Sequence, residues 1–270
     1  MKDYNFLVSQ IKNKSSCLCV GLDPDPLKMP DDFAQNALPL YYFSKAIVEL
    51  THEFAVAFKI NVAFFESYGP SGWEQLAMTL SAIPKECLII LDAKRADIGN
   101  TSAQYAHYFF EDLNADGVTL HPYMGLDSLQ PFLQYSDKWS AILALTSNPG
   151  SADFQLQRMA EGQFLYEKVI HTYTAHPNPH IMFVCGATHP EAFSSIRKLC
   201  PDRFLLVPGI GAQGGDLEEV ICRGRNADVG LLINVSRGIC YPDGSRPFAE
   251  SVRELASGYQ RRMARVAFDS

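Results

Sequence analysis

Nowhere in this 270-residue chain is there an apolar run approaching the ~18 residues that a membrane span needs. The opening stretch, MKDYNFLVSQIKNK, carries charges and no long apolar core, so a secretory signal is not expected. Positive charge is also in short supply. Against 30 Asp and Glu stand 23 Lys and Arg, and the formal charge of -7 argues against a general attraction to nucleic acid or anionic membrane. That balance still leaves room for local binding of a phosphate. The seven cysteines form no C-x-x-C pair and no Cys/His grouping with zinc spacing. They lie scattered at 17, 19, 87, 185, 200, 222 and 240, mostly in or beside apolar runs such as Phe183-Val184-Cys185, and are expected to be buried free thiols in a reducing compartment. Linkers, low-complexity tracts and internal repeats are missing too. A cytoplasmic enzyme or binding protein is the class left, and 47% apolar with 20% charged residues suits a large core.

What is present is a series of short apolar runs rich in β-branched residues, at 17–22, 55–60, 88–91, 117–120, 141–145, 181–184, 204–207 and 229–235. They show no polar alternation, as strands buried on both faces of a parallel sheet would. Helical periodicity fills segments between them, including 40–52, 72–83 and 101–113. The last places Tyr105, Ala106, Phe109, Phe110 and Leu113 on one stripe and opens on a capping-box pattern, Thr101-Ser102-Ala103-Gln104. His176-Pro177-Asn178-Pro179 reads as a loop before the sixth strand. Eight strands alternating with helices predict an α/β chain folded as one (β/α)8 TIM barrel spanning 1–270. The competing open doubly wound sheet lacks its fingerprint: Gly21-Leu22-Asp23-Pro24-Asp25-Pro26 follows the first strand where G-x-G-x-x-G would be needed.

Active sites of such barrels collect at the C-terminal strand ends, and polar residues terminate nearly every run. Asp23 ends the first, Lys59 and Asn61 the second, and Asp92 and Lys94 the third. His121 ends the fourth, Thr146 and Ser147 the fifth, and Asn234, Ser236 and Arg237 the eighth. Strand alternation predicts Asp92 and Lys94 on one side, with Ala93 and Arg95 on the other. At ~4 Å and an effective dielectric near 20, that pairing gives about 4 kcal/mol of gross attraction before desolvation. An acidic neighbour favours the charged ammonium, which suits Lys94 as a proton donor better than as a Schiff-base nucleophile. Asp97 lies past the strand end, where it points over the rim and could serve a neighbouring subunit. After the seventh strand, the glycine-rich stretch 208–216 contains Gln213 and would let backbone N–H groups approach an anion, with Arg237 as a bidentate cation.

These residues resemble a known family. Asp92-Ala93-Lys94-Arg95-Ala96-Asp97-Ile98-Gly99-Asn100-Thr101 is similar to the D-x-K-x-x-D signature of the orotidine 5'-phosphate decarboxylases. Gly21-Leu22-Asp23, Phe58-Lys59-Ile60-Asn61, Thr146-Ser147-Asn148-Pro149-Gly150, the 208–216 loop and Asn234-Val235-Ser236-Arg237 resemble that family's other motifs in order, over about 17–240. The length and Ala63-Phe64-Phe65-Glu66 look like its longer-chain bacterial subgroup. The resemblance implies that Lys94 protonates C6 of the pyrimidine as carbon dioxide leaves. It implies Asp92 near the departing carboxylate, with Lys59 and Asp97 completing an alternating charge array. Asp97, Ile98 and Thr101 would come from the partner in a homodimer. Asp23 and Lys59 would bind ribose hydroxyls, Ser147 the pyrimidine, and Gln213 and Arg237 the phosphate. No metal or organic cofactor is implied.

Plainer readings stand beside these. On pattern alone, Asp92, Lys94 and Asp97 also suit a solvated ion-pair cluster, Lys59 an exposed strand end, and Asp23 and Ser147 local turns or caps. Gln213 also suits a loop amide and Arg237 a surface ion pair. The competing functions are a metal-dependent sugar-phosphate enzyme sharing D-x-K-x-x-D and a catalytically silent, phosphate-binding barrel.

Overall fold

Each of the eight apolar runs becomes a strand because it is buried on both faces and carries too little polar alternation to face water. The computed structural model describes residues 1–211 and 214–268. In it β1 (Leu18–Leu22), β2 (Ala57–Asn61), β3 (Leu88–Arg95), β4 (Gly117–Leu120), β5 (Trp139–Leu145), β6 (Ile181–Cys185), β7 (Leu205–Pro208) and β8 (Leu231–Val235) pair in sequence order. β8 returns to β1 through Leu18 opposite Ile233 and Cys19 opposite Asn234, so the parallel sheet closes. The expected (β/α)8 TIM barrel is what forms.

Helices shield the outside of the strands. Pro39 opens the helix Pro39–Thr51 at a position where its missing N–H costs nothing, and that helix buries Leu40, Phe43, Ile47 and Val48. Asp3 caps the helix Tyr4–Lys14 by accepting from Phe6 N–H at 2.8 Å, and Leu7, Val8 and Ile11 of that helix enter the core. Lys2 ties this end to β5's neighbourhood: its ammonium meets Asp116 at 2.7 Å, while its carbonyl accepts from the Trp139 indole at 2.7 Å.

The helix expected over 101–113 departs from its sequence reading. It begins at Gly99, not Thr101, and runs to His107 before a π-helical turn over Tyr108–Asp112. The capping box is not used, because its cap residue, Thr101, lies inside a helix whose N-cap position is Ile98; the adjacent Ser102 is engaged elsewhere. Its hydroxyl accepts from Asp97 N–H at 3.0 Å and donates to the Ser128 carbonyl at 2.7 Å, tying the segment after β3 to the next helix. The thiols follow expectation at six positions, where they are free and buried. The exception is Cys222, exposed on the helix Leu217–Gly224.

Candidate active site

β2 and β3 run in register with Lys59 opposite Ile90 and Asn61 opposite Asp92. Lys59 is only 5% exposed, yet its ammonium reaches Asp92 Oδ2 at 2.6 Å. Asp92 Oδ1 receives the Lys94 ammonium, also at 2.6 Å, and a third bond from the Thr119 hydroxyl at 2.9 Å. Three donors on one carboxylate fix it in the charged form. Burial works against that charge, but Lys59 and then Lys94 outweigh it, so Asp92 titrates well below the usual carboxylate range. Burial likewise opposes the Lys59 charge, and Asp92 followed by Asp23 overcomes it, holding the ammonium above the ordinary lysine value. A Lys–Asp–Lys array therefore stands at the C-terminal mouth of the barrel.

Asp92 and Lys94 meet as expected, but the backbone reason differs from simple alternation. Leu91 pairs with Val118 and Arg95 with Leu120, so a bulge falls between them. Lys94 sits in the left-handed region at φ 47°, conformationally costly for a residue with a side chain. Arg95 turns outward and serves the scaffold. It pairs with Glu66, donates to the Ala93 carbonyl at 2.7 Å and lies over the Tyr105 ring, 5.4 Å from its centroid.

A cavity of about 380 Å³ adjoins the array and is lined by Asp23, Lys59, Asp92, Pro208, Gly209, Asn234 and Arg237, among others. Four sequence candidates thus share one wall: Asp23, Lys59, Asp92 and Arg237. Among the described residues Asp23 Oδ1 is buried without a hydrogen-bond partner, an exception to the rule that buried polar atoms are paired. The loop carrying Asp23 is held by Tyr241, whose hydroxyl donates to the Asp23 carbonyl at 2.5 Å and accepts from Asp25 N–H at 2.7 Å. Across the cavity, Gly209, Gly211 and Gly214 adopt positive φ of 103°, 73° and 86°, which lets the loop after β7 fold back on itself. Gly215 N–H then bonds the Gly209 carbonyl at 3.1 Å. Gln213 lies outside the described residues. Among the described residues Arg237 has no ion-pair partner.

Other candidates stand apart. Ser147 lies in a neighbouring hollow with Asn148, Pro149, Thr188 and His189. Its carbonyl accepts from Thr188, and Gly186 packs so closely that an added Cβ would sit 2.5 Å from the Ser147 nitrogen. Asp97, Ile98 and Thr101 do not line the Lys59–Asp92 cavity of their own chain. Asp97 instead accepts from Ile98 N–H at 2.7 Å, and Ile98 is 66% exposed. Among the described residues there is no group of three or more His, Cys, Asp or Glu that could hold a metal ion. Two contributors escaped the sequence reading. Thr119 offered one signal, a hydroxyl inside an apolar run; Tyr241 offered none.

Comparison with known proteins places this geometry in a family. A profile described as the orotidine 5'-phosphate decarboxylase / HUMPS family matches residues 16–250. The orotidine 5'-phosphate decarboxylase of Bacteroides fragilis strain YCH46 is 50% identical over 262 residues, covering 96% of each chain. Among solved structures, the Leishmania donovani OMP decarboxylase superposes with a TM-score of 0.86 at 38% identity, covering 98% of both chains. The UMP synthase of the same organism gives 0.89 at 39% identity over 99% of this chain, which spans 57% of that longer protein. With near-complete coverage at such identity, the chain belongs to the orotidine 5'-phosphate decarboxylase family.

Proposed function

We propose that this protein converts orotidine 5'-phosphate to uridine 5'-phosphate and carbon dioxide, the last step of pyrimidine nucleotide synthesis, with Lys94 as the proton donor. The observation that carries the reading is the Lys59–Asp92–Lys94 array, whose Lys59 and Asp92 line the cavity. Loss of carbon dioxide breaks the bond between C6 and the carboxylate and leaves its electron pair on a ring carbon that has no delocalising sink. Fixed charge and a proton source must then stabilise it, and the scheme calls for no cofactor. The Lys94 ammonium gives one proton to C6 as the bond breaks, and the neutral amine regains a proton from water. Asp92 faces the departing carboxylate, binds the Lys94 ammonium and holds Lys59 in its charged state.

The remaining contacts follow the cavity. Asp23, whose Oδ1 has no hydrogen-bond partner among the described residues, and Lys59 take ribose hydroxyls. Arg237, Gln213 and the glycine-rich loop take the phosphate, and Ser147 takes the pyrimidine edge. Binding the remote phosphate supplies energy for closing the site over the ring. Asp97, Ile98 and Thr101 act in the partner's site of a homodimer. Supporting this are their absence from the cavity of their own chain and a run of exposed apolar side chains on the same rim, Ile98, Tyr123, Met124, Leu126 and Phe154. A second copy would cover that patch.

The test is loss of orotidylate absorbance with purified protein in the presence of a chelator. Turnover is expected. No decarboxylation overturns the proposal, and activity abolished by chelator supports the metal-dependent sugar-phosphate chemistry of relatives sharing D-x-K-x-x-D.

A further inference from the structure

A strand that leaves its ladder at its most charged point must satisfy its backbone elsewhere. Between the pairs Leu91–Val118 and Arg95–Leu120, β3 fits Asp92, Ala93 and Lys94 opposite one residue of β4, Thr119. Thr119 is buried at 1% exposure. Its hydroxyl accepts from Lys94 N–H at 3.0 Å and donates to Asp92 Oδ1 at 2.9 Å. A hydroxyl has a single proton, an ionised carboxylate can only accept, and a backbone amide can only donate, so the direction of both bonds is fixed.

We infer that Thr119 is a positioning residue whose hydroxyl spans the β3 bulge and clamps the Lys94 backbone to the Asp92 carboxylate. The Lys94 side chain is 52% exposed, and among the described residues the only ionic contact holding its ammonium is Asp92. Without the clamp, the root of Lys94 would sit in a left-handed conformation with its N–H unpaired, and Asp92 would lose one of three donors. Orientation of the ammonium over the reacting carbon is then set by a pair of groups free to move together. What is being positioned rests on the decarboxylase reading above.

Thr119→Val keeps the shape and deletes both bonds; Thr119→Ser keeps the hydroxyl and deletes a methyl. Misplacement of a reacting group by about 1 Å costs on the order of 10²-fold, so Thr119→Val is expected to lower kcat by about 30–100-fold with KM within about twofold. Thr119→Ser is expected to stay within about threefold of wild type, since it retains the contacts that fix orientation. A second readout does not depend on turnover. Hydrogen exchange of the Lys94 amide, followed by NMR, should be slow in wild type and Thr119→Ser and at least about tenfold faster in Thr119→Val, where the amide loses its acceptor. Wild-type kcat in Thr119→Val, equal impairment of both variants, or unchanged Lys94 exchange would each overturn the clamp. Wild-type protein inert on orotidylate, with Lys94 exchange accelerated only in Thr119→Val, would keep the clamp and remove the decarboxylase reading.

Discussion

Replacing Lys59 by methionine keeps the side chain out to its fourth atom and removes the charged end from a site that is 5% exposed. Asp92 would keep Lys94 and Thr119 but lose its shortest fully buried partner, and Asp23 would lose the cation that sits between it and Asp92 electrostatically. Removing one member of a buried pair costs about 3–5 kcal/mol. The surviving Lys94 contact argues for the lower end, about 3 kcal/mol, read by urea unfolding at pH 7. The pH dependence supplies a stricter check. Asp92 is depressed in the folded chain, so its contribution is complete above the unfolded value of about 3.9 and drains as pH falls toward the folded value, by about 1.4 kcal/mol per unit. Lys59 is raised, so its contribution is complete below about 10.4 and is lost as pH rises through the folded value. The gap between wild type and Lys59→Met should therefore be flat from about pH 5 to 9 and close on both sides. Equal stability at pH 7, or a gap that widens between pH 5 and 3, would refute the assignment of Asp92 and Lys59 as a mutually stabilised ion pair.

Three further outcomes concern the chemistry. Lys94→Ala should lower kcat by about 10⁴-fold, the upper end for a positioned proton donor, while calorimetry still detects uridine 5'-phosphate binding. Arg237→Ala should raise KM by about 10–100-fold with a smaller change in kcat, as expected for a charged hydrogen bond to a remote phosphate; steady-state kinetics decides it. Equal mixing of Lys94→Ala and Asp97→Ala subunits, each inactive, should recover about a quarter of wild-type activity. Half the dimers would then be mixed, each with one intact site, and no recovery after subunit exchange would place Asp97 outside the partner's site.

The barrel was legible because its signal is redundant. Each of eight apolar runs could shift by a residue or two at its ends, as 55–60 did to Ala57–Asn61, without changing which strands pair. Polar residues at the strand ends located the cavity for the same reason: Lys59 and Asp92 lie in β2 and β3, Asp23 and Arg237 just past β1 and β8, and closure of the sheet brings them to one cavity. What stayed hidden depends on departures from regular geometry. Thr101 read as a cap, but the helix opens two residues earlier at Gly99, and the Ser102 hydroxyl is claimed by a distant carbonyl, that of Ser128, which no local pattern encodes.

The bulge in β3 is the sharpest case, because period-two alternation gave the right neighbours by a wrong route. In a regular strand, Asp92 and Lys94 would project in parallel about 6–7 Å apart at their roots. The observed 2.6 Å contact between their charged ends arises with Lys94 in the left-handed region and its N–H directed at Thr119. Carboxylate–ammonium attraction cannot by itself select that backbone, since two long side chains could pair across a regular strand at lower conformational cost. Something must therefore favour the irregular form, and the buried hydroxyl opposite the bulge is the group that satisfies the amide it releases. Function at this strand end depends on a β4 residue that carries no charge and was singled out by no motif.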